Sequence, residues 1–264
     1  MLGAIQGATE FLPVSSSAHL VFAQAFLGIH AEGKFLVTFD LALHLGTLLA
    51  VIVVMRDDLL RVCKSFLTQA NSQNSADILS GRHLGWMLVI ATLPAALIGT
   101  GLKHFFEALF QDVLWAGIFL CVTGCVLWST RRVAARNVDF NHLGWKQSLK
   151  IGLAQAVAIL PGISRSGSTI SAGLWSKLQP EQAARFSFLL STPVILGAFV
   201  LEAKNLKYFQ VSALWQTLAG MAAAFVVGYA SIRWMLKIVG RGQFSHFAIY
   251  CWVMGGIAIL TQLF

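Results

Sequence analysis

Charged side chains are scarce in this sequence. Asp, Glu, Lys and Arg make up 11% of its 264 residues, while apolar residues make up 57%. A soluble domain averages ~25% charged and ~45–50% apolar residues. The gap is too wide for a water-soluble core protein, and it points to a polytopic membrane protein with a largely lipid-facing surface. Cysteine is sparse too. Cys63, Cys121, Cys125 and Cys251 have neither a zinc spacing nor a disulfide framework. Cys121 and Cys125 share a helix face inside an apolar run, where packing is the expected role. A secretory leader is not evident, since the first twelve residues hold Glu10 and no Lys or Arg. The first membrane segment is expected to serve as its own targeting signal.

What charge there is runs positive, with a formal net charge of +8. The basic residues are spread beside apolar stretches rather than gathered in a patch, so they read as topology signals and not as a nucleic-acid surface. No nucleic-acid partner is expected.

A helix needs roughly 20 apolar residues to cross the hydrocarbon layer. Six segments qualify, at about 35–55, 84–102, 113–130, 185–201, 213–232 and 247–263. The linker from Arg56 to Arg82 contains Asn71-Ser72-Gln73-Asn74-Ser75 and reads as a surface loop. Two further regions are interrupted by polar residues. Around Pro13 and Ser15-Ser16-Ser17, and again around Pro161-Gly162 and Ser164-Arg165-Ser166-Gly167, two runs of about 10–12 residues flank a break. Each run is too short to span, so each pair is expected to be a re-entrant hairpin lining a protected cavity. The two regions resemble each other in order, which suggests a duplication with a period of about 148 residues. The expected fold is therefore all-α: one membrane domain, residues 1–264, with six spanning helices and two broken-helix hairpins. Its repeat halves run at about 1–130 and 131–264.

Basic residues orient the bundle. With the Arg56–Arg82 linker inside, Arg56, Arg61, Lys64, Arg82, Arg131, Arg132, Arg136, Lys146, Lys150, Lys177, Arg185, Arg233, Lys237 and Arg241 fall on the inner side. Lys34, Lys103, Lys204 and Lys207 fall outside. By the positive-inside rule this bias is strong. The first hairpin then dips in from outside and the second from inside, an inverted-topology repeat whose breaks can meet near the midplane.

The breaks carry the chemistry. Gln6 and Glu10 are four apart and share a helix face. Ser15, Ser16 and Ser17 stand where a second helix starts, and His19 projects from its first turn. In the other hairpin, Ser164, Arg165, Ser166 and Thr169 surround a second helix start, with glycines that let the backbone approach closely. Free helix-start N–H groups, hydroxyls and one planar guanidinium suit a phosphate. A mid-membrane charge costs ~2.5–3.5 kcal/mol on the insertion scale, so Glu10 and Arg165 are more economically explained by function than by accident. Asp40 and His44, four apart in the first span, are even candidates for a direct role and for a supporting polar pair.

Two runs, Gln6 to His19 and Pro161 to Thr169, resemble the signature motifs of the undecaprenyl-diphosphatase, or bacitracin-resistance, family. The resemblance implies an integral membrane enzyme of the bacterial plasma membrane. Such an enzyme converts undecaprenyl diphosphate to the monophosphate, recycles the lipid carrier of peptidoglycan synthesis and confers resistance to bacitracin. It implies a divalent cofactor, Mg2+ or Ca2+, with Glu10 and Gln6 as its ligands, although Gln6 stands where some members have Glu. It implies Ser16 as nucleophile, His19 as acid and base, and Glu10 in the catalytic set. Ser15, Ser17, Ser164, Arg165, Ser166 and Thr169 are the phosphate-binding set. The expected partners are the polyprenyl diphosphate lipid and membrane lipid, with a homodimer as the candidate assembly. The cavity is expected to open toward the periplasmic or extracellular side. The alternative is a transporter of polyprenyl phosphate, for which an inverted repeat with an anion site would also serve.

Overall fold

The computed structural model describes residues 1–28, 34–68, 75–101, 112–133, 138–202 and 213–263; nothing is said of the side chains of residues 34–37. Eleven α-helices are described among these residues. They are α1 (Leu2–Phe11), α2 (Ser16–Phe26), α3 (Lys34–Val54), α4 (Arg56–Leu67), α5 (Ser75–Gly101), α6 (Val113–Ser129), α7 (Trp145–Val157), α8 (Arg165–Trp175), α9 (Pro180–Glu202), α10 (Leu214–Gly240) and α11 (Phe247–Leu263).

Five helical stretches are long and apolar enough to cross a membrane: Ser75–Gly101, Val113–Arg132, Pro180–Glu202, Leu214–Gly240 and Phe244–Leu263. The pair Thr38–Val54 and Arg56–Leu67, bent by 81° at its break, supplies a sixth. The chain is thus a multi-pass helical membrane bundle.

The largest difference from the sequence-based expectation lies after Arg56, and α10 also runs on to Gly240, past its expected end at 232. The linker after Arg56 begins as a helix, α4, and α5 starts at Ser75, nine residues before the expected span. Asp57 and Asp58 in the first turn of α4 and Lys64 in its last turn complement the helix dipole. A search for 20-residue apolar runs passes over such a helix. Residues 71–74 of the expected loop lie outside the described residues, as do His30, His104, Arg136, Lys103, Lys204, Lys207 and the side chain of Lys34.

The two interrupted regions form the short paired helices expected of them. Leu12 is extended (φ −72°, ψ 148°), as the residue before a proline prefers, and α1 ends there. α2 begins after Ser15, whose φ of 65° is unusual for a residue with a Cβ. α7 and α8 are joined through Gly162, at φ 99°. A Cβ at Gly162 would meet the Ala116 carbonyl and the Phe119 side chain of α6, so only glycine fits this turn.

Each short pair is held by a long helix from the other end of the chain. α1 lies on α10, and α7 lies on α5. A Cβ at Gly7 would come within 2.6 Å of the Ala224 carbonyl of α10, and one at Gly152 within 2.6 Å of the Ala91 carbonyl of α5. Small residues let these backbones approach closely, the usual means of packing helices where lipid offers no hydrophobic drive. Beneath the breaks, Phe11 and Phe188 meet edge to face at 5.5 Å and are fully buried.

Candidate active site

The two breaks meet. Glu10, in the last turn of α1, directs Oε1 at Nη2 of Arg165, the first residue of α8, at 2.7 Å. The other carboxylate oxygen, Oε2, accepts a hydrogen bond from the Ser16 hydroxyl at 2.6 Å and one from the Gln6 amide at 3.0 Å. His44 Nε2 stands 3.8 Å from the same oxygen. The side chain of Glu10 is 7% exposed and that of Arg165 15%. A charge pair so little hydrated costs several kcal/mol to break by removing one partner, ~3–5 kcal/mol in measured cases.

Local structure explains why these side chains converge. Pro13 ends α1 just after Glu10, and Ser15 caps α2, accepting from Ala18 N at 3.5 Å, which puts Ser16 at the first helical position. Ser164 caps α8 in the same way, accepting from Gly167 N at 3.0 Å. The Ser166 hydroxyl donates to the Leu12 carbonyl at 2.8 Å and so ties one break to the other. Thr123 of α6 secures the second break from outside: it donates to the Gly162 carbonyl at 2.8 Å and accepts from Ser164 N at 3.0 Å. Arg165 Nη1 donates to the Ser187 carbonyl of α9 at 3.2 Å, and the Thr169 and Ser187 hydroxyls share a hydrogen bond of 2.6 Å.

The residues singled out from sequence therefore divide. Gln6, Glu10, Ser16 and Arg165 form one connected cluster. Ser15 and Ser17 hydrogen-bond to each other at 3.1 Å at the start of α2. Ser164, Ser166 and Thr169 spend their hydroxyls on caps and on the backbone, and in this arrangement they frame the site. His19 does not bond to Ser16. Its Nδ1 faces the Ser15 carbonyl at 2.9 Å and its Nε2 faces the Tyr250 hydroxyl at 2.8 Å. The group that receives the Ser16 hydrogen is Glu10. His44 joins the cluster, held by Nδ1 to the Asp40 carbonyl at 2.8 Å. The Asp40 carboxylate meets the Gln24 amide at 3.5 Å and stays outside the cluster.

Sequence reading missed Tyr250, Ser187 and Thr123. Tyr250 lies 231 positions from His19 in an apolar span, with no motif around it. Ser187 carried a weak signal, because it follows Phe186 in the stretch that echoes Phe39-Asp40 of the first half.

Among the described residues no three His, Cys, Asp or Glu side chains converge as a metal cage. The donors present are hard oxygens: the Glu10 carboxylate, and Gln6 Oε1, which is buried without a hydrogen-bond partner. That set fits Mg2+ or Ca2+, and Mg2+ in particular commonly takes one or two carboxylates and fills its remaining positions with water and substrate phosphate.

Two broken helix pairs in a helical membrane bundle, closing on a buried carboxylate, guanidinium and hydroxyl, define an integral membrane protein with a polar site enclosed between its helices. The chain belongs to the bacitracin resistance protein BacA family, whose sequence profile matches residues 1–257. It is 41% identical over 270 residues to the undecaprenyl-diphosphatase of Methanobrevibacter smithii, covering 100% of this chain and 96% of the relative. The undecaprenyl-diphosphatase of Alkaliphilus metalliredigens is 38% identical, with 100% and 97% covered. That of Desulforapulum autotrophicum is 41% identical, with 99% and 96% covered.

Proposed function

We propose that this protein hydrolyses undecaprenyl diphosphate to undecaprenyl phosphate and inorganic phosphate, and thereby confers bacitracin resistance. Family membership and the names of the relatives support the activity and argue against a transporter. The observation that carries the chemistry is the 2.6 Å hydrogen bond from Ser16 to Glu10, beside the Arg165 guanidinium. Transport needs no nucleophile paired with a base.

In the proposed reaction the Ser16 hydroxyl attacks the terminal phosphorus while Glu10 Oε2 takes its proton. The bond from that phosphorus to the bridging oxygen breaks, and undecaprenyl phosphate leaves with the bridging oxygen. Water, giving up a proton to His19, then hydrolyses the phosphoserine; phosphate leaves and the serine oxygen regains a proton. Arg165 faces the carboxylate through one Nη and the Ser187 carbonyl through the other. A phosphate that draws the guanidinium toward itself gains a planar charged donor at the centre where charge develops. Glu10 and Gln6 would hold a divalent ion, which supplies charge neutralisation on the diphosphate.

The arrangement also fits an inverted repeat. α1 and α7 each open a broken pair, and each packs on a long helix of the other half. With the linker after Arg56 inside, the cavity opens toward the outer face of the plasma membrane.

The test is phosphate release from undecaprenyl diphosphate by the purified protein in detergent, with the Glu10→Gln protein as control. Wild-type protein that binds the lipid but releases no phosphate would sink the reading.

A further inference from the structure

The Tyr250 hydroxyl lies 2.8 Å from His19 Nε2, and the two rings stack with centroids 5.7 Å apart and 8° between their planes. The residues come from α11 and α2, helices that both pack on α6. Phe22 flanks the same imidazole at 6.0 Å and 52°. On the other ring nitrogen, Nδ1 faces the Ser15 carbonyl at 2.9 Å. A carbonyl can only accept, so Nδ1 carries the hydrogen, and in the neutral ring Nε2 is an acceptor. The Tyr250 hydroxyl is then its donor.

Resting on the diphosphatase reading, we propose that Tyr250 is a positioning residue for His19. It fixes the ring plane and the tautomer and holds Nε2 as the acceptor nitrogen, the one that takes up a proton when the ring becomes charged. When His19 takes up a proton, Nε2–H becomes a donor. The tyrosine hydroxyl then has no acceptor on the ring and can donate to a phosphate oxygen of the substrate. One hydroxyl thus serves the resting imidazole and, after protonation, the anion.

Among the described residues no side chain competes with Tyr250 for the ring; the further polar group against it is the Val14 backbone carbonyl. On the elements around α2, Glu10 of α1 is committed to Arg165, Ser16 and Gln6. Arg165 of α8 is turned to Glu10 and Ser187. Cys251 of α11 directs its thiol at the Pro13 carbonyl. Asp40 of α3 meets α2 at Gln24, and His44 faces Glu10. Cys121 and Cys125 of α6 make no hydrogen bond to the imidazole. Among the described residues the ring nitrogens bond to the Ser15 carbonyl and the Tyr250 hydroxyl, and the Val14 carbonyl also acts on the ring as an acceptor.

The experiment is 15N NMR of histidine-labelled full-length protein in detergent, with the His19 signals identified by their loss in His19→Asn. Phosphate release from undecaprenyl diphosphate is followed across pH in parallel. Wild type is expected to show the Nδ1-protonated tautomer when neutral. Tyr250→Phe keeps the stacked ring and loses the donor to neutral Nε2. In that protein the His19 signals and the acid limb of the rate profile should both move to higher pH, by about half to one unit. kcat should fall several-fold with little change in KM. An Nε2-protonated tautomer in wild type overturns the proposal even if the variant does not fold, and so does a titration that Tyr250→Phe leaves unmoved. If the NMR shift is present but wild type releases no phosphate, the diphosphatase reading fails and the catalytic role goes with it, while the contact itself stands.

Discussion

Glu10 and Arg165 are 155 positions apart in sequence and 2.7 Å apart in space, each at the break of a different hairpin. The carboxylate they share with Ser16 and Gln6 makes Glu10 the most heavily used group in the site.

Glu10→Gln is therefore expected to abolish phosphate release, by at least ~1,000-fold, and excess magnesium should not restore it. The neutral side chain cannot take the Ser16 proton and leaves Arg165 without its counter-charge. Gln6→Ala removes one of the two proposed oxygen donors and should be milder, with a changed dependence on magnesium concentration. Activity assays over a magnesium series decide this, and equal losses in the two proteins would make Gln6 as central as Glu10.

Ser16→Ala separates nucleophile from ligand. If the Ser16 hydroxyl attacks the phosphorus as proposed, kcat collapses in Ser16→Ala while the lipid still binds. Loss of a charge-assisted hydrogen bond alone costs ~1.5–3 kcal/mol, or about ten- to a hundred-fold. Steady-state kinetics beside a binding measurement distinguish the two. Residual activity within a hundred-fold of wild type would point to direct attack by water.

Arg165→Lys keeps the charge and loses the fork that spans Glu10 and Ser187. It should remain well below wild type, about ten-fold or more, with the loss carried mainly by kcat because charge develops on the phosphate in the transition state. A variant as fast as wild type would show that a point charge suffices.

Topology is checked by reporter fusions. The charge asymmetry predicts that a reporter placed within residues 71–75 reads as cytoplasmic and one fused after Phe264 reads as external. A cytoplasmic C-terminus would overturn the orientation and the outward-opening cavity with it.

The spans and breaks were legible because long apolar runs and polar interruptions are properties of the sequence itself. Glu10 and Arg165 stood out for the same reason: a charge inside such a run needs a partner. The roles of Ser164, Ser166 and Thr169 were not legible. A hydroxyl in a motif looks the same whether it faces a ligand or, as Ser166 does, a backbone carbonyl of the opposite hairpin. Tyr250 was hidden because its partner is supplied only by packing α2 and α11 around α6. α4 was missed because its pattern is amphipathic and short, while the membrane criterion asks for length and uniform apolarity.

The clasp of α1 by α10 and of Glu10 by Arg165 bears on how the molecule is made. α1 leaves the ribosome well before its partners: its ionic partner is translated some 150 residues later and the helix it rests on later still. Until then Glu10 has no counter-ion, and holding it at depth in lipid costs a few kcal/mol. A helix made long before its partners is thus among the last to reach its seat. Biogenesis must keep a place open for it, and the catalytic centre comes into being only when the bundle closes.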